Sequence, residues 1–402
     1  MAENPQNLIR SFNLQTNFAT GSVTRDDLVP PSFSRIRTPY AHTWRETKLP
    51  NIVDWGVDGY SYHLDQSLRV VKSMYLKINL PAITGGGNYK RYPGFKICKQ
   101  QRLMSAGQEV YTVDPCLHLV DYCESLSDEQ VKQFGETFMG DQAVPDATAR
   151  TVLIPIFLPN TPFYGRAGDR RGLGAFPAFL GQNRLEVQIS LNTAAYTAAD
   201  ASYVPASIAG ECSILIHQVD MTSHNLLKYS DLRGGYSVIN RRFTPITSTW
   251  QHYTSGDAAA QTEHTISQVQ PQGCITEVIA VAVATGATED RYSAFEYIKP
   301  TSMKITADSI VQKDLEDVQK INIENWEQGF CEPADFPSPG RLCFSAHSAD
   351  NTHLYAGGYN MSLASNIQVG IRFPSECRFK LYAIAYQRVK IDELGHVRSY
   401  LE

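Results

Sequence analysis

The stretch "CRFKLYAIAYQRVKI", Cys377–Ile391, lies near the end of the 402-residue chain and decides the fold. Read at every second position it gives Cys377, Phe379, Leu381, Ala383, Ala385, Gln387, Val389 and Ile391, of which seven are apolar. The other parity, Arg378, Lys380, Tyr382, Ile384, Tyr386, Arg388 and Lys390, is mostly long and polar-tipped. Successive side chains of a strand point to opposite faces, so this pattern predicts one strand with a buried side and a side that is wet or shared. At roughly 3.3 Å per residue such a strand reaches about 50 Å. An ordinary strand has only about 5–6 residues.

Working outward, the same period recurs. Arg69–Leu80 places Val70, Met74, Leu76, Ile78 and Leu80 on one parity, and Asn183–Leu191 alternates Leu185, Val187, Ile189 and Leu191 with Glu186, Gln188 and Ser190. Glu211–Met221 and Ser365–Phe373 read as further strands. Gly273–Ala284 is apolar on both parities and reads as a strand covered on both faces. Thr151–Leu158 is short and contains Pro155, which predicts a place near a sheet edge. Helical signals are few. Ser127 and Gln130 form a capping box ahead of "SDEQVKQFGETFM", Pro115–Leu126 reads as a further turn or two, and Asp314–Trp326 starts acidic, as a helix N-terminus prefers. Strands in runs, not alternating with helices, predict an all-β sandwich class.

The chain is 43% hydrophobic and 19% charged, enough for a large core and for two domains or more. A net charge of −5 gives no case for a protein that coats nucleic acid. The eight cysteines form no CxxC pair, and several sit in strand-like runs, so free thiols and a reducing compartment are expected. The N-terminal stretch has no basic region followed by an apolar one, so no signal peptide is expected. No run approaches the ~18 apolar residues of a membrane span, and in this setting the sequon Asn360-Met361-Ser362 carries no meaning.

The two halves also resemble each other. "NRLEVQISL" leads through a loop to "ECSILIHQV", and "NIQVGIRF" leads to "ECRFKLYAI". Arg102–Leu126, set beside Ser302–Trp326, shows the same strand running into a helical segment. One all-β module in two copies is expected, with a junction near 222–235.

With these residues in view, the chain resembles the double jelly-roll major capsid proteins. "GQEVYTVDPCLHLVDYCESLSDEQVKQFGETFMG" resembles the segment after that family's fourth strand. "VLIPIFLPNTPFY…GLGAFPAFLGQNRLEVQISL" is similar to its "IPLxFWF…GLALPLIALxxHEVxIxI" run, "ITEVIAVAV" to its "VKELIWVV" strand, and the C-terminal stretch to its "VYAxNYNVLRI" signature. The ordered matches run from about residue 60 to 391. Departures fall at Ile156-Phe157-Leu158 and Ala385–Ile391. The lineages this brings in include polinton-like viruses, virophages, relatives of large DNA viruses, and tailless membrane-containing phages.

The resemblance implies an N-terminal arm at 1–40 and two tandem eight-stranded jelly rolls, 41–222 and 223–402, with short helices in the loops. It implies a structural role without catalysis: a homotrimeric capsomer, pseudo-hexagonal in outline, tiling an icosahedral shell in the virion. Implied partners are other copies of the chain, minor capsid and penton proteins, and in some shells an inner membrane. No nucleic acid, substrate or cofactor is implied. The segments 114–148, 159–182 and 344–360 are too long for hairpin turns and are expected as exposed outer loops.

The chemistry-bearing residues point the same way. The glycine-rich runs Thr84–Gly94 and Gly165–Gly174 lack the Gly-Lys-Ser/Thr of a phosphate loop, so Arg166, Arg170 and Arg171 read as surface residues. The histidines form no HxH or HExxH, and His217 and His224 only flank the expected junction. Asp54 with Asp58, and Glu316 with Asp317, could be paired carboxylates for glycoside hydrolysis, a reaction that needs a separation spacing alone does not give. Trp44, Trp55, Trp250 and Trp326 sit in or beside apolar segments and read as packing residues rather than sugar platforms. No catalytic, cofactor or metal residue is therefore assigned. The rival reading is a carbohydrate-binding or carbohydrate-active β-sandwich.

Overall fold

The computed structural model describes residues 41–64, 70–124, 126–142, 146–159, 161, 176–178, 185–199, 202–220, 237–247, 249–254, 263–267, 274–285, 297–327, 339–344, 358–360, 364–392 and 394–401. The arm at 1–40, the junction at 222–235, the glycine-rich run 165–174 with its arginines, and His224 lie outside these residues, as does most of 159–182 and 344–360. The described residues form two compact units. The first takes in residues up to Tyr122, then Glu129–Asn240 and Arg388–Tyr400; the second takes in Cys123–Asp128 and Arg241–Gln387.

The first unit holds strands β1 (Ala41–Lys48), β2 (Tyr60–Leu64), β3 (Val70–Leu80), β4 (Cys98–Ser105) and β5 (Gln108–Val113). Helices α1 (Pro115–Cys123) and α2 (Asp128–Phe138) follow, and then β6 (Arg150–Pro155), β7 (Leu185–Leu191) and β8 (Cys212–Asp220). The strands pair antiparallel in two sheets, β1-β8-β3-β6 and β2-β7-β4-β5. β6 lies at an edge, where its proline predicted it. Met74, Leu76 and Ile78 of β3 are buried, as are Ile214 and Ile216 of β8, Val152 and Ile154 of β6, and Val187 and Ile189 of β7.

The second unit begins within β9 (Ser237–Pro245) and continues through β10 (Gln251–Tyr253), β11 (His264–Ile266), β12 (Cys274–Ala284), β13 (Ser302–Ala307) and β14 (Ile310–Leu315). After these come α3 (Val318–Glu327), β15 (Gly340–Cys343), β16 (Tyr359–Asn360), β17 (Ile367–Arg372), β18 (Cys377–Ile391) and β19 (Val397–Leu401). The sheets are β10-β18-β12-β15, with β9, β16 and β19 attached, and β11-β17-β13-β14. With the eight main strands of each unit numbered in turn, both units have sheet orders 1-8-3-6 and 2-7-4-5. That is a jelly roll, twice.

The opening stretch is one fifteen-residue strand, β18. All eight residues of its odd parity, Gln387 included, are buried, while Arg378, Lys380, Tyr382 and Arg388 are half-buried. Phe379, Leu381, Ala383 and Ala385 join Val278, Ala280 and Ala282 of β12 in one apolar cluster with Met303, Ile305, Val369, Ile371 and Phe373. Full burial of a side chain such as Leu381 or Phe379 contributes about 1.5–3 kcal/mol. β12 is covered on both faces as expected, since Ile279, Val281 and Val283 are buried on its other parity. The end of β18 and β19 belong to the first unit, where Val397 N donates to Ser105 Oγ at 3.0 Å and Ser399 Oγ to the Val110 carbonyl at 2.6 Å.

The duplication reaches single residues. β4 and β5 join through Ala106-Gly107, with φ of 50° and 79°; β13 and β14 join through Asp308-Ser309, with φ of 49° and 67°. Two central residues at positive φ are what a two-residue hairpin turn needs to follow the twist of its strands. Each hairpin has one register shift at the same place, between Leu103 and Met104 and between Ile305 and Thr306. The register that superposes these turns pairs Ala106 with Asp308, two residues away from the side-by-side reading of the sequence.

Two expectations are corrected. Segment 114–142 is not an exposed loop: it carries α1 and α2, and Leu117, Leu119, Val120, Val131, Phe134 and Met139 are buried. The third helix starts at Val318, not Asp314. Asp314 and Leu315 stay in the β14 ladder opposite Lys304 and Met303, and Asp317 Oδ1 caps the helix by accepting from Lys320 N at 2.8 Å.

Candidate functional site

The carboxylates singled out in the sequence do structural work. Asp54 accepts from Trp55 N at 2.8 Å, Ile208 N at 2.9 Å and Ser207 Oγ at 2.5 Å, which ties the turn after β1 to the approach to β8. Burial pushes its carboxyl up, but the bonds from Ser207, Ile208 and Trp55 outweigh burial and hold it below the ordinary value. Ser190 Oγ donates to Asp58 at 2.6 Å, the main reason that carboxyl is also held low. Glu316 pairs with Lys320 at 2.6 Å. Neither pair is brought together as an acid and a base. Among the described residues no group of three or more His, Cys, Asp or Glu side chains could hold a metal ion. Cys98, Cys116, Cys123, Cys212, Cys343 and Cys377 are buried, and burial pushes the Cys98 thiol up to about 12.

The first glycine-rich run is a packed corner. Gly85 and Gly86 take φ of +84° and +96°, and a Cβ on Gly87 would stand 2.2 Å from Tyr203 Cβ. Tyr89 and Tyr92 behind it are fully buried. The Arg150 guanidinium lies 4.9 Å over the Tyr89 ring, and Arg91 pairs with Asp141 at 3.1 Å.

What remains is surface. On the outward face of β1-β8-β3-β6 the cross-strand rows are Trp44 with His217, Glu46 with Leu215 and Tyr75, and Lys48 with Ser213 and Lys77. Trp44 is 58% exposed and stacks on the His217 ring, centroids 4.4 Å apart and planes 8° from parallel. Tyr75 stacks in turn on Phe138 of α2. Burial lowers the His217 value, and Lys72 and His42 lower it further. Lys77 Nζ and Ser213 Oγ both bond Glu46, and the Ser213 bond is the first cause of its lowered pKa. Leu153 and Leu215 are half-buried here, and Asn79 and Thr151 are exposed.

The equivalent face of the second roll is closed along β12 and β15, with Arg378, Lys380 and Tyr382 of β18 half-buried. Glu277, Ile279, Val281, Val283, Arg341 and Ile384 are all buried. Arg341 has no exposed side-chain surface; it bonds Glu277 Oε2 at 3.1 Å and pairs with Glu124, which is equally buried and belongs to the same unit. Nothing in the sequence signalled this charge cluster. α3, by contrast, buries Ile321 and Asn325 and leaves Ile323 and Trp326 outward, at 57% and 79% exposure. Trp55 Nε1 donates to the Ala206 carbonyl at 2.9 Å, and Arg378 and Lys380 lie over the Trp250 ring.

No protein-family model matches the chain, and no curated protein does. Solved structures do. The Faustovirus major capsid protein is similar over 95% of this chain and 96% of its own, with a TM-score of 0.64 at 9% identity. PBCV-1 VP54, as fitted into a reconstruction of the virophage Sputnik, is similar over 90% of this chain and 97% of its own, with a TM-score of 0.62 at 12% identity. The mavirus major capsid protein covers 89% of this chain and 90% of its own, with a TM-score of 0.56 at 10% identity. At such identity the likeness is one of fold: the chain has the tandem jelly-roll architecture of these proteins along nearly its whole length.

Proposed function

We propose that this chain is the major capsid protein of an icosahedral DNA virus, a structural protein that assembles with copies of itself and does no chemistry. The observation that carries the reading is the pair of jelly rolls with identical strand order, matched over 90–95% of the chain by capsid proteins. Three copies contribute six rolls, which gives a capsomer of pseudo-hexagonal outline. Such a shape tiles a large shell, with neighbouring capsomers, minor capsid proteins and a penton protein as partners. The protein then resides in the virion. Interfaces of this permanent kind often bury 2,000 Å² or more. Of the aromatic residues the carbohydrate reading would use, Trp55 is hydrogen-bonded and Trp250 lies under two cations, while Trp44, stacked on a histidine, and Trp326 are exposed. The test is negative-stain imaging of the purified protein beside passage over a glycan column. Three-fold particles of hexagonal outline that do not bind glycan are expected; retention on glycan with featureless monomers would overturn the proposal.

A further inference from the structure

The two rolls are copies, yet two of their equivalent parts differ in exposure. On the second roll the outward face of β10-β18-β12-β15 is closed along β12 and β15, with Ile279, Val281, Val283 and Arg341 buried, while Arg378, Lys380 and Tyr382 of β18 are half-buried. Glu124, from the connection between the fifth and sixth strands of the first roll, sits on that face against Arg341 within the second unit. On the first roll the equivalent face is open. Trp44 is exposed, Leu153, Leu215 and Lys77 are half-buried, and Asn79 and Thr151 reach solvent. The equivalent fifth-to-sixth connection of the second roll is α3, whose Ile323 and Trp326 point outward.

One chain is thus left with an open sheet face on one roll and an open apolar helix on the other. From this juxtaposition we propose that α3 of one copy docks on the outward face of β1-β8-β3-β6 of a second copy of this chain. The inference rests on the assembly reading above and names the surfaces that would carry it. Charge supports the match. Lys48 and Lys77 lie on the sheet face and Lys72 acts on His217 beside them, against two carboxylates: Glu46, which Lys77 already neutralises, and Glu211, which accepts from Asn79. α3 and the two residues before it carry Glu316, Asp317, Glu324 and Glu327 against Lys320. Even with Glu324 paired to Lys313, the helix side stays acidic where the sheet face is basic. Buried aromatic anchors such as Trp326 are the residues that dominate protein interfaces. The contact joins two different patches, so it is head-to-tail and closes only as a ring; with two rolls per copy, three copies alternate rolls around such a ring.

The test uses two single-cysteine variants of the full chain, Ile323→Cys and Leu215→Cys, expressed separately and together and treated with a short bis-maleimide. Cys98, Cys116, Cys123, Cys212, Cys343 and Cys377 are buried, and wild type sets the background. Thermal unfolding of each variant checks that both fold. Covalent dimers at least several-fold above background are expected only in the co-expressed sample. Dimers of equal yield from Ile323→Cys alone would mean a helix-to-helix contact and overturn the inference. A three-copy mass with no dimers above background in any sample would overturn it and leave the assembly reading standing. A single-chain mass for wild type would instead count against the assembly reading and take this inference with it.

Discussion

Removing the Arg341 side chain should destabilise this fold strongly. Its guanidinium is buried with Glu277 and Glu124, and taking it away leaves two buried carboxylates facing each other. Breaking a buried pair on one side destabilises by about 3–5 kcal/mol, so Arg341→Met should lower the unfolding free energy measured by urea titration by that much or prevent soluble expression. The faces of β18 give a matched pair. Leu381 is fully buried in the apolar cluster of the second unit, so Leu381→Asp places a carboxylate where it costs several kcal/mol and soluble protein should vanish. Arg388→Asp, on the half-buried parity, should retain normal yield and a normal thermal transition. A third outcome depends on pH. Asp54 has a folded value below its unfolded one, so its contribution is present above the ordinary carboxyl range and is lost as pH falls through the lowered value. The melting-temperature deficit of Asp54→Asn should therefore be full at pH 7 and shrink as pH falls through the lowered carboxyl value. At this scale the sequence was partly legible. The parity of β18 told Leu381 from Arg388, because a strand's period is two. Arg341, between Gly340 and Leu342, carries no local sign of burial, since its partners lie 64 and 217 positions away.

Elements were legible where a period ran long and obscure where two signals competed. β12 and β18 were plain because burial on both faces, or on one, leaves an unbroken pattern over eleven and fifteen residues. α3 was placed four residues early because its acidic lead-in looks like a helix start, whereas cross-strand pairing with β13 keeps Asp314 extended. α2 shows how packing overrides propensity. Gly135 sits inside the helix, where Gly is about 1 kcal/mol worse than Ala. A Cβ there would meet the Tyr92 ring at 2.0 Å, and that ring is buried. Gly135→Ala should thus destabilise, by about 1–3 kcal/mol for an overpacked site, with a lower melting temperature as the readout. A gain in melting temperature would mean that the helix does not bear on Tyr92.

At the scale of the molecule, the duplication was legible as strand order but not as register. The turn Ala106-Gly107 corresponds to Asp308-Ser309, and nothing in those two dipeptides looks alike; what they share is a pair of positive φ angles and a bulge just before the turn. The surfaces on which assembly would depend were legible only in part. Trp326 sits in a mixed polar run that gives no sign of its 79% exposure, whereas burial of Ile279 was readable from a β12 that is apolar on both parities. The central claim is that this chain builds a shell from copies of itself, and the mass of the purified wild-type protein tests it most directly. Light scattering on a sizing column should give about 135 kDa, three times 44.8 kDa, unchanged on dilution through the micromolar range. A mass of one chain, 44.8 kDa, at every concentration would contradict the account.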